Sequence, residues 1–178
     1  EPPMGATSYV NAFIEMVEQA ESQGIDVDHV IHASGSGGTQ AGLVAGAKAC
    51  SGKTKILGVS VSEEKQTYRE LVLEIARDTE RALEGSLGIG EEDIIIFDEY
   101  IGEGYGQVNK EVSDAIRLVA VNEGIFLDPV YTGKAMVALI DLVKKEYFKK
   151  DENVVFFHTG GTAALFPNRQ KLGKFLSR

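Results

Sequence analysis

Short runs of β-branched and small apolar residues alternate along this chain with segments whose apolar residues recur at helical spacing. Residues 28–34 (DHVIHAS), 55–61 (KILGVSV), 94–97 (IIIF) and 153–158 (NVVFFH) have the length and composition of buried strands. Between them fall helical patterns. Tyr9, Val10, Phe13, Ile14, Val17 and Ala20 follow the cap candidates Thr7 and Ser8 and stop at Gly24; Thr39 to Cys50 is rich in Ala and Leu; Tyr68, Leu71, Val72, Ile75, Ala76, Ala82 and Leu83 mark a long helix. Val112, Ala115, Ile116, Val119 and Ala120 mark another, and Met136, Leu139, Ile140 and Val143 one more. Strand–helix alternation of this kind predicts an α/β fold, a mostly parallel sheet with helices on both faces. With 178 residues, 43% of them apolar, and no repeat or linker, the chain reads as a single α/β domain over 1–178.

Charge and cysteine content narrow the function classes. Eighteen basic against 27 acidic residues give a net charge of -9 with no basic patch, which argues against nucleic acid or an anionic membrane as partner. No apolar run approaches the ~20 residues of a membrane span. Cys50 stands alone and makes no intramolecular disulfide, so a cytoplasmic setting is expected. The opening Glu1-Pro2-Pro3 is no signal peptide and suggests that the gene begins elsewhere.

In parallel sheets ligands gather at the carboxyl ends of strands, which points to the loops after Ser34, Phe97, Leu127 and His158. The first, Ser34-Gly35-Ser36-Gly37-Gly38-Thr39-Gln40-Ala41-Gly42, joins a strand to a helix; its glycines, helix N-terminus and the hydroxyls of Ser36 and Thr39 suit a phosphate. A plain tight turn is the alternative. It matches neither the dinucleotide fingerprint, since Gln40 stands where the third glycine belongs, nor a Walker loop, since Leu43 stands where its lysine belongs. Gly102-Glu103-Gly104-Tyr105-Gly106 frees an aromatic to enter a cavity or is only a flexible loop. In Leu127-Asp128-Pro129-Val130-Tyr131-Thr132-Gly133-Lys134, Thr132 could be an N-cap and Tyr131 a staple. His158-Thr159-Gly160-Gly161-Thr162 is a second anion turn or a sharp bend. Together the loops suggest a cofactor with an anionic tail and a flat ring. His29, His32 and His158 lack metal-ligand spacing, packing being the better role for the first two, and no nucleophile elbow occurs.

The motifs HASGSGGTQAG, GEGYG, LDPVYTGKAM and FFHTGGTAALF, in this order, resemble the carboxyl-terminal half of the pyridoxal-phosphate enzymes that include D-cysteine desulfhydrase and 1-aminocyclopropane-1-carboxylate deaminase. The resemblance implies the tryptophan-synthase-β-like, fold type II architecture, incomplete here. It implies pyridoxal 5'-phosphate as cofactor, its phosphate held by Ser36, Gly37, Gly38, Thr39 and Gln40, and catalytic roles for Tyr131 and Tyr105 beside the ring. Thr132 and Thr159 stand where the deaminases carry Glu and Leu, a pattern that resembles the desulfhydrases. A threonine near the pyridine nitrogen offers a neutral hydrogen bond and a weaker electron sink, which suits β-elimination. The implied reaction takes the α-proton from D-cysteine or a related amino acid and expels sulfide, with hydrolysis to pyruvate and ammonia. A 1-aminocyclopropane-1-carboxylate deaminase and a non-catalytic module for a phosphorylated ligand are the alternatives.

The family's Schiff-base lysine and its substrate-carboxylate stretch precede the region of resemblance. Lys48, Lys53, Lys55 and Lys134 do not match that lysine's motif and are expected to be solvated. The chain alone is therefore expected to be inactive, whether as a fragment, half of a split enzyme or a natural module. A sheet left uncovered at an edge predicts self-association, as a homodimer.

Overall fold

The computed structural model describes residues 4–50 and 52–176. Strands β1 (His29–Ser34), β2 (Lys55–Ser60), β3 (Ile95–Phe97) and β4 (Val154–Phe156) form one sheet in the order β3-β2-β1-β4. All pairings are parallel, with His29 opposite both Lys55 and Val154, and Leu57 opposite Ile95. Central β1 is buried at all six positions, as a strand covered on both faces must be.

The two-residue period of the strands sends alternate side chains to opposite faces. Val30, Ile56 and Ile96 enter a core with helices α1 (Met4–Ser22), α2 (Gly38–Cys50) and α3 (Lys65–Ala82), where Phe13, Val44 and Val72 pack. Ile31, Leu57 and Val59 enter a second core against Ala135, Ala138 and Leu142, so the last three helices, α4 (Lys110–Glu123), α5 (Thr132–Lys144) and α6 (Leu165–Leu176), lie on the other side with α5 innermost. Val112, Ile116, Leu127 and Leu172 join α4 and α6 in a third cluster. Burying each large apolar side chain contributes roughly 1.5–3 kcal/mol.

Helices α1 and α2 touch backbone to backbone. A Cβ on Gly42 would stand 2.1 Å from the Ala6 carbonyl oxygen, and one on Gly46 2.7 Å from Phe13 Cβ. That close crossing fixes the first turn of α2 at the carboxyl end of β1.

Two expectations need correction. The stretch before Asp128 forms no strand, so Leu127 is not a strand end. It is a fully buried connector, and the Phe126 carbonyl that would have joined a ladder is met instead by His158 Nε2 at 3.0 Å. Helix α6 follows the last glycine turn, where no helix was expected. No helix among the described residues is long and apolar enough to cross a membrane.

Candidate functional site

The turn between β1 and α2 leaves amides unpaired. The first helical hydrogen bond runs from Ala41 N to Gly37 O at 2.9 Å, which leaves the amides of Gly38, Thr39 and Gln40 without an acceptor inside the helix. They sit at the positive end of the α2 dipole. Gly37 holds φ +86, and a Cβ there would meet Ile75 Cδ1 at 3.1 Å and Val72 Cγ2 at 3.3 Å. Helix α3 thus closes the back of the turn, and Ser36 is exposed at its front.

Gln40 contributes no side chain to this turn. It is fully buried, its Nε2 donating to Ile95 O at 2.8 Å while its Oε1 accepts from Ser34 Oγ at 3.0 Å. It crosses β2 over Gly58, where a Cβ would lie 1.9 Å from Gln40 Oε1. Gln40 is therefore an anchor of α2 on the sheet, and only its backbone N–H is placed for an anion.

Opposite the turn, the start of α5 is organised by a residue that sequence reasoning missed. Asp128 is fully buried, and its carboxylate accepts from the amides of Val130 (2.7 Å), Tyr131 (2.9 Å) and Thr132 (2.7 Å). Thr132 Oγ1 donates to Asp128 Oδ1 at 2.8 Å and accepts from Asp128 N at 2.8 Å. The capping residue is thus Asp128 rather than Thr132, and the Thr132 hydroxyl is committed to it behind the site wall. The signal was an aspartate four residues before a threonine at a helix start.

Tyr131 projects from this cap and its ring crowds Gly35, where a Cβ would stand 3.2 Å from Tyr131 Cε1. Its hydroxyl meets that of Tyr105 at 2.5 Å, the rings meeting edge to face with centroids 6.0 Å apart. The Tyr105 hydrogen bond, then burial, pushes the Tyr131 phenol up to about 12. Tyr105 itself is 57% exposed.

The turn after β4 completes the wall. His158 Nδ1 accepts from Gly160 N at 3.0 Å while Nε2 faces the Phe126 carbonyl at 3.0 Å, a pattern that suits a hydrogen on Nε2. Gly161 holds φ +91 over Asp128, whose Cγ would lie 2.9 Å from a Cβ. A cavity of about 310 Å³ is lined by Ser36, Gly37, Thr39, Tyr131, Thr159 and Gly160, with Tyr9 of α1 joining them. The structure therefore brings Ser36, Gly37, Thr39, Tyr131 and Thr159 together. It sets Gly38 and Gln40 in the α2 start, Tyr105 against Tyr131, and Thr132 behind them. A larger cavity of about 700 Å³ between α4 and α5 has acidic walls, including Glu99, Glu111, Asp114 and Asp141, and contains no anion-binding turn.

None of the residues lining the smaller cavity is a lysine. Lys134, expected to be solvated, is 1% exposed and donates to the carbonyls of Ile101, Gly104 and Val61. His29 and His32 pack as expected, His29 pairing with Glu152 at 3.1 Å. Among the described residues no group of His, Cys, Asp and Glu is arranged for a metal. The arrangement can hold an anion at the turn and a flat ring beside Tyr131 and Thr159.

The chain is 41% identical over 164 residues to a D-cysteine desulfhydrase of Serratia proteamaculans (strain 568), covering 92% of this chain and 48% of that protein. A crystal structure of an ACC deaminase homologue superposes with a TM-score of 0.88 at 32% identity, covering 98% of this chain and 51% of the other. The processed form of threonine deaminase isoform 2 from Solanum lycopersicum shares the fold, with a TM-score of 0.61 at 16% identity over 95% of this chain and 46% of that one. The chain spans about half the length of these relatives. The architecture is that of the fold type II enzymes. The profile of the family described as "Pyridoxal-phosphate dependent enzyme" matches residues 1–160, and the chain belongs to that family, whose cofactor is pyridoxal phosphate.

Proposed function

We propose that this chain builds the phosphate and ring side of an enzyme that eliminates sulfide from D-cysteine or a related amino acid, with water yielding pyruvate and ammonia. The carrying observation is the cavity itself, which a glycine turn with free amides, a phenol and Thr159 line together. The likeness to a D-cysteine desulfhydrase supports the same substrate class.

Pyridoxal phosphate fits the residues present. Amides without helical acceptors, with the Ser36 and Thr39 hydroxyls beside them, suit its phosphate. Gly35 leaves room beside the Tyr131 ring that a Cβ would take. When bound, the cofactor supplies an electron sink for the negative charge left by α-proton loss. Residues 36–40 would hold its phosphate, and Thr159 would offer the pyridine nitrogen a neutral hydroxyl. Thr132 would act through Asp128, by fixing the turn that carries Tyr131.

Tyr131 is protonated near neutral pH, as a phenol ordinarily is, and the Tyr105 hydrogen bond and burial push it further up. It would therefore give a proton, to the departing sulfur or the product, rather than take one. Tyr105 shares that hydrogen and holds the Tyr131 oxygen in place. The Schiff-base lysine would come from outside this chain, since no lysine lines the cavity. The complete enzyme would act as a cytoplasmic homodimer on a small amino acid. Its self-association would cover the outer edges of β3 and β4, which form no ladder among the described residues.

The test measures sulfide and pyruvate from D-cysteine with the complete protein. Thr159→Leu should lower kcat/KM for D-cysteine about tenfold or more, the scale of one lost hydrogen bond in a closed site. Unchanged turnover would remove Thr159 from the mechanism. The 32% identity to an ACC deaminase homologue supports a second reading. Ammonia released from 1-aminocyclopropane-1-carboxylate, with no sulfide from D-cysteine, would establish it.

A further inference from the structure

Lys134 stands in the first turn of α5, where the helix dipole disfavours a cation, and it is almost wholly buried. None of the ion pairs among the described residues includes it. Its Nζ donates instead to three backbone carbonyls, Ile101 O at 2.7 Å, Gly104 O at 2.9 Å and Val61 O at 3.3 Å. An ammonium has three donors, and all three are used. The cost of burying the charge is visible in its pKa, which desolvation lowers.

These carbonyls come from two places. Val61 follows β2, whereas Ile101 and Gly104 belong to the loop that bears Tyr105. That loop has positive φ at Gly102, Gly104 and Gly106. Its internal backbone bonds, Ile101 N to Asp98 O and Gln107 N to Gly104 O, are both long at 3.3 Å. A backbone of this composition gains little order from itself. Lys134 lies three residues after Tyr131, so one helical turn holds one phenol directly and the other through the ammonium.

We propose that Lys134 is a positioning residue whose ammonium ties residues 101–104 to α5 and the end of β2, setting Tyr105 against Tyr131. The same three oxygens form a cage that takes a potassium or ammonium ion when the side chain is cut back. Every group involved belongs to the chain, so this inference goes beyond the proposed reaction and stands whichever amino acid is turned over.

Hydrogen exchange on the complete protein, without substrate and near neutral pH, tests it together with the 13Cζ shift of Tyr131, assigned by its loss in Tyr131→Phe. In Lys134→Ala, amides of residues 101–107 should exchange at least about tenfold faster while β1 and α2 hold. The Tyr131 signal should move as its partner leaves. Potassium or ammonium chloride should restore both readouts, and tetramethylammonium chloride at equal ionic strength should restore neither. Lys134→Met keeps the stem's volume without its charge; it should loosen the loop and resist rescue because the stem blocks the cage. An unaltered loop in both variants would overturn the proposal, as would equal recovery with tetramethylammonium. Should Lys134→Ala fail to fold in every salt, Lys134→Met decides: loss confined to the loop supports the proposal, and uniform loss across the protein overturns it.

Discussion

Asp128 has no solvent to share its charge and no cation beside it in the ion pairs of the described residues, only four N–H and O–H donors. Its buried oxygens are satisfied by those donors, and replacing one oxygen with NH2 turns a donor toward donors. Asp128→Asn should lower the unfolding free energy by about 2–4 kcal/mol, measured by urea denaturation. An unchanged midpoint would show the cage to be idle. His32 gives a prediction in pH. It is fully buried, its Nδ1 meeting Ala33 O at 2.9 Å, and burial pulls its pKa down from 6.5 to about 4. Below pH 6.5 the unfolded chain takes a proton there that the folded chain refuses until about pH 4, so stability falls with pH across that window. The loss reaches about 3 kcal/mol. His32→Asn keeps the donor to Ala33 without the titration; the wild type should lose about that much more than the variant between those pH values, and parallel curves would contradict it.

Among the elements, glycine contacts set the positions of the helices that shape the site. At Gly58 a methyl group collides with Gln40, and at Gly42 with the Ala6 backbone. Gly58→Ala should displace Gln40 and the first turn of α2, weakening phosphate binding while costing about 1–3 kcal/mol of stability. Equilibrium binding of pyridoxal phosphate checks it, and wild-type affinity with a displaced Gln40 would refute the anchor. Periodicity made β1, β2 and helices α1 to α5 legible, because each buries a continuous apolar face. It failed for Leu127, since three apolar residues between a glycine and an aspartate look like a strand, and only the fold shows that no neighbour pairs with them. It also passed over α6, whose Phe166 is 75% exposed and whose apolar face is thin.

Over the whole molecule, the order of four glycine-bearing motifs was enough to indicate the family and the loops that meet. The pairing of side chains across those loops was not legible. Lys134 looked like any surface lysine because its acceptors are carbonyls distant in sequence, and Thr132 looked like a site hydroxyl because Asp128's turn toward it depends on the fold. The central claim is that the strand ends gather an anion turn, a phenol pair and Thr159 around one cofactor. A crystal structure of the complete protein grown with pyridoxal phosphate measures this most directly. Phosphate oxygens should lie within hydrogen-bond distance of the amides of residues 37–40, with the pyridine ring beside Tyr131 and its nitrogen toward Thr159. A phosphate bound away from that turn, or a ring touching neither side chain, would contradict the account.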